Sequence, residues 1–201
     1  MQNISIAPSS PDEADVAARL TFMAYHRFSY DIFGQVGEER ALINFKKLWI
    51  HNNNRFSHRF SYTAKAGSEV IAIMTCYPSM KVNKLVLPTL FYLIRIGKST
   101  FLWHFFTHLI NFYYFALGTE NMPDEFYIAT LSVLPEYRNK GIGAEMLKYA
   151  IGLTGQYGYK KCSLHVNAEN DAGIRFYERN KFVNTSPKEK NLTYYRMVYT
   201  I

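Results

Sequence analysis

The chain has 201 residues, 48% hydrophobic and 19% charged, which excludes disordered and fibrous classes and suits one domain large enough to bury a core. Its net charge of +7 favours an anionic partner (a nucleotide phosphate, RNA or an acidic membrane surface) without choosing among them. Cys76 and Cys162, the two cysteines, provide neither a zinc spacing nor a disulfide framework. With no secretory pattern in "MQNISIAPSSPDEAD", two buried thiols in a reducing cytoplasm are expected.

Ile4 to Ala7 alternates as a short strand. "SSPDEADVAARLTFMAYHRF" then carries serine and Pro11 at a helix start and acids in the first turn, with Leu20, Met23, Ala24 and Phe28 as an inward stripe. A loop through "FGQVG" leads to a second helix, around Glu38 to Ile50. "HRFSYTAKAGSEVIAIMTCYP" reads as a hairpin turning at "AGSE", its second strand almost continuously apolar, as a central strand should be.

From Leu85 to Leu117 the chain is crowded with aromatic residues. A spanning helix needs roughly 20 largely apolar residues, and here Pro88, Arg95, Gly97 and Lys98 break the first half while His104, Thr107, His108 and Asn111 interrupt the second. The pattern predicts two short amphipathic helices, an insertion within residues 82–122 of a single domain spanning 1–201. Core packing is the usual role of such a stripe; a dimer contact, an aromatic pocket or contact with a membrane surface are the other readings. His104 and His108 sit one helical turn apart, but without a third ligand they predict no metal site.

"FYIATLSVLP" is a strand ending at Pro135, "EYRNKGIG" a loop entering a helix from about Ile142 to Gln156, and "KKCSLHV" a strand with Cys162, Leu164 and Val166 on one face. A short helix follows in "NAENDAGIRFYERN", capped by Asn170 or Asp171, and "FVNT" and "LTYYRMVYT" close the chain as strands. Helices thus alternate with strands around a hairpin. The fold class is α/β: a mixed, mostly antiparallel twisted sheet flanked by helices.

The chemistry concentrates where strand becomes helix. A glycine-rich turn opening a helix leaves free backbone N–H groups at the positive end of the helix dipole, and Arg138 and Lys140 add full charges for phosphate. Gly141 and Gly143 let an anion come close to those amides. The loop matches neither the GxxxxGK[ST] phosphate loop nor the GxGxxG dinucleotide spacing. About two helical turns separate Asn170 from Tyr177, so both project to one side, where a phenol can protonate a leaving group while an amide holds another polar part of the ligand.

"RNKGIG" fits the pattern [RQ]-x-x-G-x-[GA], and Asn170, Gly173 and Tyr177 fit N-x-x-[AG]-x-x-x-Y. In this order and separation they resemble the GNAT superfamily of acyl-CoA-dependent N-acetyltransferases, well over Phe126 to Val183 and elsewhere only by element order. The resemblance implies acetyl-CoA as cosubstrate, with its pantetheine arm lying along the backbone of Leu131, Ser132 and Val133 like an added strand. It implies that the amides of Arg138, Asn139, Lys140 and Gly141, and those of Ile142, Gly143 and Ala144, hold the pyrophosphate. Asn170 would bond the pantetheine, and Tyr177 would protonate the departing thiolate.

The sequence departs from the family pattern twice. Lys181 stands where the family has a glycine after the second helix, so Asn180 is expected to supply the left-handed helix stop. The strand "FYIATLSV" contains no acid to serve as general base, which leaves Asp124, Glu125 and His165 as candidates. The function implied is acetyl transfer to the primary amine of a small molecule or peptide, by direct attack in a ternary complex. The alternative is a non-catalytic acyl-CoA-binding module with membrane contact. Because Lys and Arg are scattered instead of interleaved with aromatics, no nucleic-acid partner is expected; a homodimer stays open.

Overall fold

The alternation that marks strands in the sequence becomes the two faces of one sheet. The computed structural model describes residues 4–33, 36–107, 122, 124–187 and 192–201. The strands are β1 (Ile4–Pro8), β2 (Ser61–Ala66), β3 (Glu69–Pro78), β4 (Glu125–Val133), β5 (Lys161–Asn167), β6 (Val183–Asn184) and β7 (Tyr194–Thr200). They form one seven-stranded sheet in the order β1-β2-β3-β4-β5-β7-β6. Only β4 and β5 run parallel; the other neighbours are antiparallel. The helices are α1 (Ala14–Phe33), α2 (Glu38–Ile50), α3 (Ser79–Thr107), α4 (Ile142–Gln156) and α5 (Asp171–Arg179).

One face of the sheet packs against α4 and α5. Met74, Cys76, Phe126, Ile128, Cys162, Leu164 and Val166 point there, meeting Ile142, Met146, Leu147 and Ala150 of α4. The intervening residues face α1, α2 and α3: Ile73 joins Leu20 and Trp49, while Tyr77 and Tyr127 join Val82. A second apolar cluster, with Phe22, Phe33, Phe45, Phe56 and Leu93 at its centre, binds the three helices to one another. Entry into α1 is fixed by the Ser10 N–H donating to the Glu13 carboxylate at 3.0 Å, a carboxylate that also pairs with Lys65 on β2 at 2.6 Å.

The insertion differs from expectation. Its first part is a single helix, α3, with Pro88 inside it. An interior proline costs about 3 kcal/mol, yet Val82, Leu85, Thr89 and Leu93 continue one buried stripe across the break. The Thr89 hydroxyl donates to the Leu85 carbonyl at 2.6 Å and accepts the Arg55 N–H at 3.0 Å, anchoring the turn after the proline. Packing outweighs the breaker. The second expected helix, and the side chains of His104 and His108, lie outside the described residues. Among the described residues no helix is long and apolar enough to cross a membrane.

Candidate functional site

Two structural facts open the sheet at its centre. The β4–β5 ladder runs only from Glu125↔Lys161 to Ile128↔Leu164, although both strands continue. Just past that point β4 carries a bulge: Thr75 faces Thr130 and Cys76 faces Ile128, so Ala129 is the extra residue. A bulged strand bends and twists away from its neighbour. Beyond it, Leu131, Ser132 and Val133 pair with β3 alone, through Met74, Ile73 and Ala72. Their backbone groups on the β5 side have no strand partner, an edge that can take an extended polar chain.

The glycine-rich turn lies at the same end of β4. Gly141, at φ 82°, is the residue before α4, and Asn139 is also left-handed at φ 58°. Left-handed residues on either side of Lys140 are the backbone pattern from which successive N–H groups can turn to one side, as an anion-binding concavity requires. The first backbone bond of α4 runs from Glu145 N–H to Gly141 O at 3.1 Å, so the amides of Ile142, Gly143 and Ala144 precede the helical ladder. Arg138 behaves differently from expectation. Its N–H is already donated to the Pro135 carbonyl at 3.2 Å, and its Nε donates to the Val133 carbonyl at 3.1 Å. Arg138 therefore braces the end of β4. The Lys140 ammonium sits 5.2 Å from the Tyr137 ring centre, beside the turn.

Gly143 also has a packing role. A Cβ there would come within 3.0 Å of the Phe176 Cζ. The missing side chain thus lets α5 dock against the mouth of α4, and Tyr177, next to Phe176, arrives on the same face of the sheet as Leu131 and Val133. Its ring packs between Phe176 at 5.2 Å and Phe182 at 6.0 Å. Burial pushes the Tyr177 phenol up to about 12. At neutral pH it holds its proton. Asn170 is the cap of α5, its side-chain oxygen accepting the Gly173 N–H at 2.9 Å. The left-handed stop of this helix falls on Lys181 (φ 67°), not on Asn180. Phe182 N–H reaches the Tyr177 carbonyl at 3.0 Å and Lys181 N–H reaches that of Glu178 at 2.9 Å, the double bond of a Schellman closure.

On the opposite face, side-chain alternation brings together two residues that the sequence left apart. The Tyr127 hydroxyl lies 3.3 Å from His165 Nδ1 across the β4–β5 ladder. Burial, helped by the Arg196 charge, lowers the His165 pKa from 6.5 to about 4, so its ring is neutral. Its Nε2 is buried with no hydrogen-bond partner among the described residues. The other two candidate bases are engaged elsewhere. Glu125, which the structure places at the first position of β4, is buried and forms an ion pair with the half-buried Arg196. Asp124 pairs with Lys161 at 3.0 Å, and that hydrogen bond holds its carboxyl below the usual carboxylate range. The signal for Tyr127 and His165 was available: both alternate away from the apolar face in strands read as neighbours.

Neither thiol can act here. Cys76 and Cys162 lie in the core on the α4 side, and burial pushes Cys162 up to about 12 and Cys76 well above its ordinary value.

A model of the acetyltransferase (GNAT) family matches residues 24–182. A stretch of 59 residues is 44% identical to N-alpha-acetyltransferase 60 of Xenopus tropicalis, covering 28% of this chain and 24% of that protein; the match spans under a quarter of the curated relative. Among solved structures, an N-acetyltransferase from Staphylococcus aureus Mu50 superposes with a TM-score of 0.67 at 17% identity, over 97% of this chain and all (100%) of the other. The PaiA N-acetyltransferase from Thermoplasma acidophilum, solved with coenzyme A, superposes with a TM-score of 0.56 at 16% identity, over 99% of each chain.

Proposed function

The chain belongs to the acetyltransferase (GNAT) family, and on that premise we propose that it transfers an acetyl group from acetyl-CoA to the primary amine of a small molecule or peptide, by direct attack in a ternary complex. The carrying observation is the parting of β4 from β5 after Ile128↔Leu164, with the glycine-opened mouth of α4 at the same end. Acetyl-CoA supplies an activated acyl group as its thioester. The described residues fit it: amides at 139–144 suit the diphosphate, and the edge of Leu131, Ser132 and Val133, which β5 leaves without a strand partner, suits the pantetheine amides. Asn170, at the head of α5, has its amide nitrogen left to donate to the same arm.

Each residue on either side of the gap then has a proton to manage. Tyr177, protonated at neutral pH, donates to the departing sulfur. His165, on the other face, receives at Nε2 the proton leaving the amine, directly or through water, while the Tyr127 hydroxyl engages its Nδ1. A ring with a pKa near 4 holds that proton weakly and passes it on to solvent. Direct transfer is favoured over an acyl-enzyme because both thiols are enclosed and stay protonated.

Tyr177→Phe tests the reading, since it removes one oxygen and keeps the ring packing. Coenzyme A affinity should be unchanged while turnover, followed as thiol release, falls about 10²–10⁴-fold. Undiminished turnover across a pH series would remove Tyr177 from the chemistry.

A further inference from the structure

We propose that Tyr25 is a positioning residue that latches the β4 bulge and so sets the opening between β4 and β5; this rests on the acetyl-CoA reading above. A bulge leaves its extra residue outside the ladder, and here that residue is Ala129. Its carbonyl does not go unmatched. The Tyr25 hydroxyl, arriving from α1, donates to Ala129 O at 3.1 Å. The adjacent Thr130 hydroxyl donates back to the Tyr25 oxygen at 3.2 Å. One phenol thus spans both residues at the point where β4 leaves β5.

The rest of Tyr25 is built to hold that hydroxyl still. Its ring stacks on Phe45 with centroids 6.3 Å apart and meets Phe56 edge-on at 5.6 Å. The next residue, His26, abandons helical geometry at φ 28° and ψ −102°. A non-glycine residue at positive φ inside a helix is strained, and such strain persists where surrounding contacts require the bent path. The kink falls one residue from the latch. Leu131, Ser132 and Val133, the proposed pantetheine edge, follow the bulge directly, so any rotation of Ala129 and Thr130 is carried into that edge. Tyr25 itself touches neither acyl group nor amine in this scheme; it acts through the strand.

Tyr25→Phe keeps the ring contacts and removes both hydrogen bonds. Two readouts separate the latch from the acetyl-CoA reading. In the free protein, amide hydrogen exchange at Ser132 and Leu134, whose N–H groups face β3, should quicken several-fold in the variant, with β2 unaffected; unchanged exchange there overturns the latch whatever the protein binds. In calorimetric titration, the Kd for coenzyme A should rise about five- to tenfold, as expected for losing a neutral hydrogen bond's worth of organisation. The KM for acetyl-CoA should rise with it, while the pH profile of kcat keeps its shape. Equal affinity in variant and wild type also overturns the proposal. A wild-type protein that takes up no coenzyme A would sink the acetyl-CoA reading, and hydrogen exchange would still decide the latch. Should Tyr25→Phe fail to fold, Thr130→Val removes one of the two bonds and is expected to shift both readouts in the same direction by less.

Discussion

Replacing His165 by Asn should flatten the acid side of the stability curve. In the folded chain, burial and the Arg196 charge bring the His165 pKa from 6.5 down to about 4. The unfolded chain therefore takes up this proton first as pH falls, and proton uptake by the unfolded state pulls the equilibrium away from the fold. The contribution is complete above pH 6.5 and is lost as pH falls to about 4. At about 1.4 kcal/mol per pH unit, a window of that width corresponds to on the order of 3 kcal/mol. Urea unfolding of wild type and His165→Asn, at steps from pH 7 to pH 4, reads it directly. Wild type should lose about 2–3 kcal/mol more than the variant over that range, because the carboxylates common to both cancel in the difference. Parallel curves would mean that His165 is hydrated and ordinary, and would take away the lowered pKa on which its ready release of the proton depends.

Gly141→Ala places a Cβ on a residue at φ 82° with open space around it, so its effect is backbone strain alone. It should cost about 1 kcal/mol in stability and raise the Kd for coenzyme A about tenfold as the turn relaxes, with circular dichroism unchanged. Lys181→Gly relieves the left-handed lysine after α5 and should add about 0.5–1 kcal/mol to urea stability, leaving turnover as it was.

The sequence-legible part of this protein is the part written in short-range patterns. Alternation located β1 and β5, the turn at AGSE with its apolar run located β2 and β3, and the glycine turn with its helix placed the start of α4 at Ile142, where it stands. The motif residues converge because Phe176 fills the space Gly143 leaves. No spacing rule could announce that contact. α3 was misread because Pro88 and Gly97 are strong local breakers, whereas the buried stripe that overrides them depends on partners in α1 and α2. At the end of α5, residue preference pointed to Asn180. The chain instead turns at Lys181, because Phe182, at 2% exposure, must reach the core. The Tyr25 latch joins positions 104 residues apart and has no local signature.

Calorimetric titration with coenzyme A, compared with pantetheine lacking the diphosphate, tests the central claim most directly. Charge-assisted bonds from the turn's amides to the diphosphate should make coenzyme A bind at one site per chain, about 100-fold more tightly than pantetheine. A folded protein that shows no saturable uptake of coenzyme A, or that binds pantetheine equally well, would contradict it.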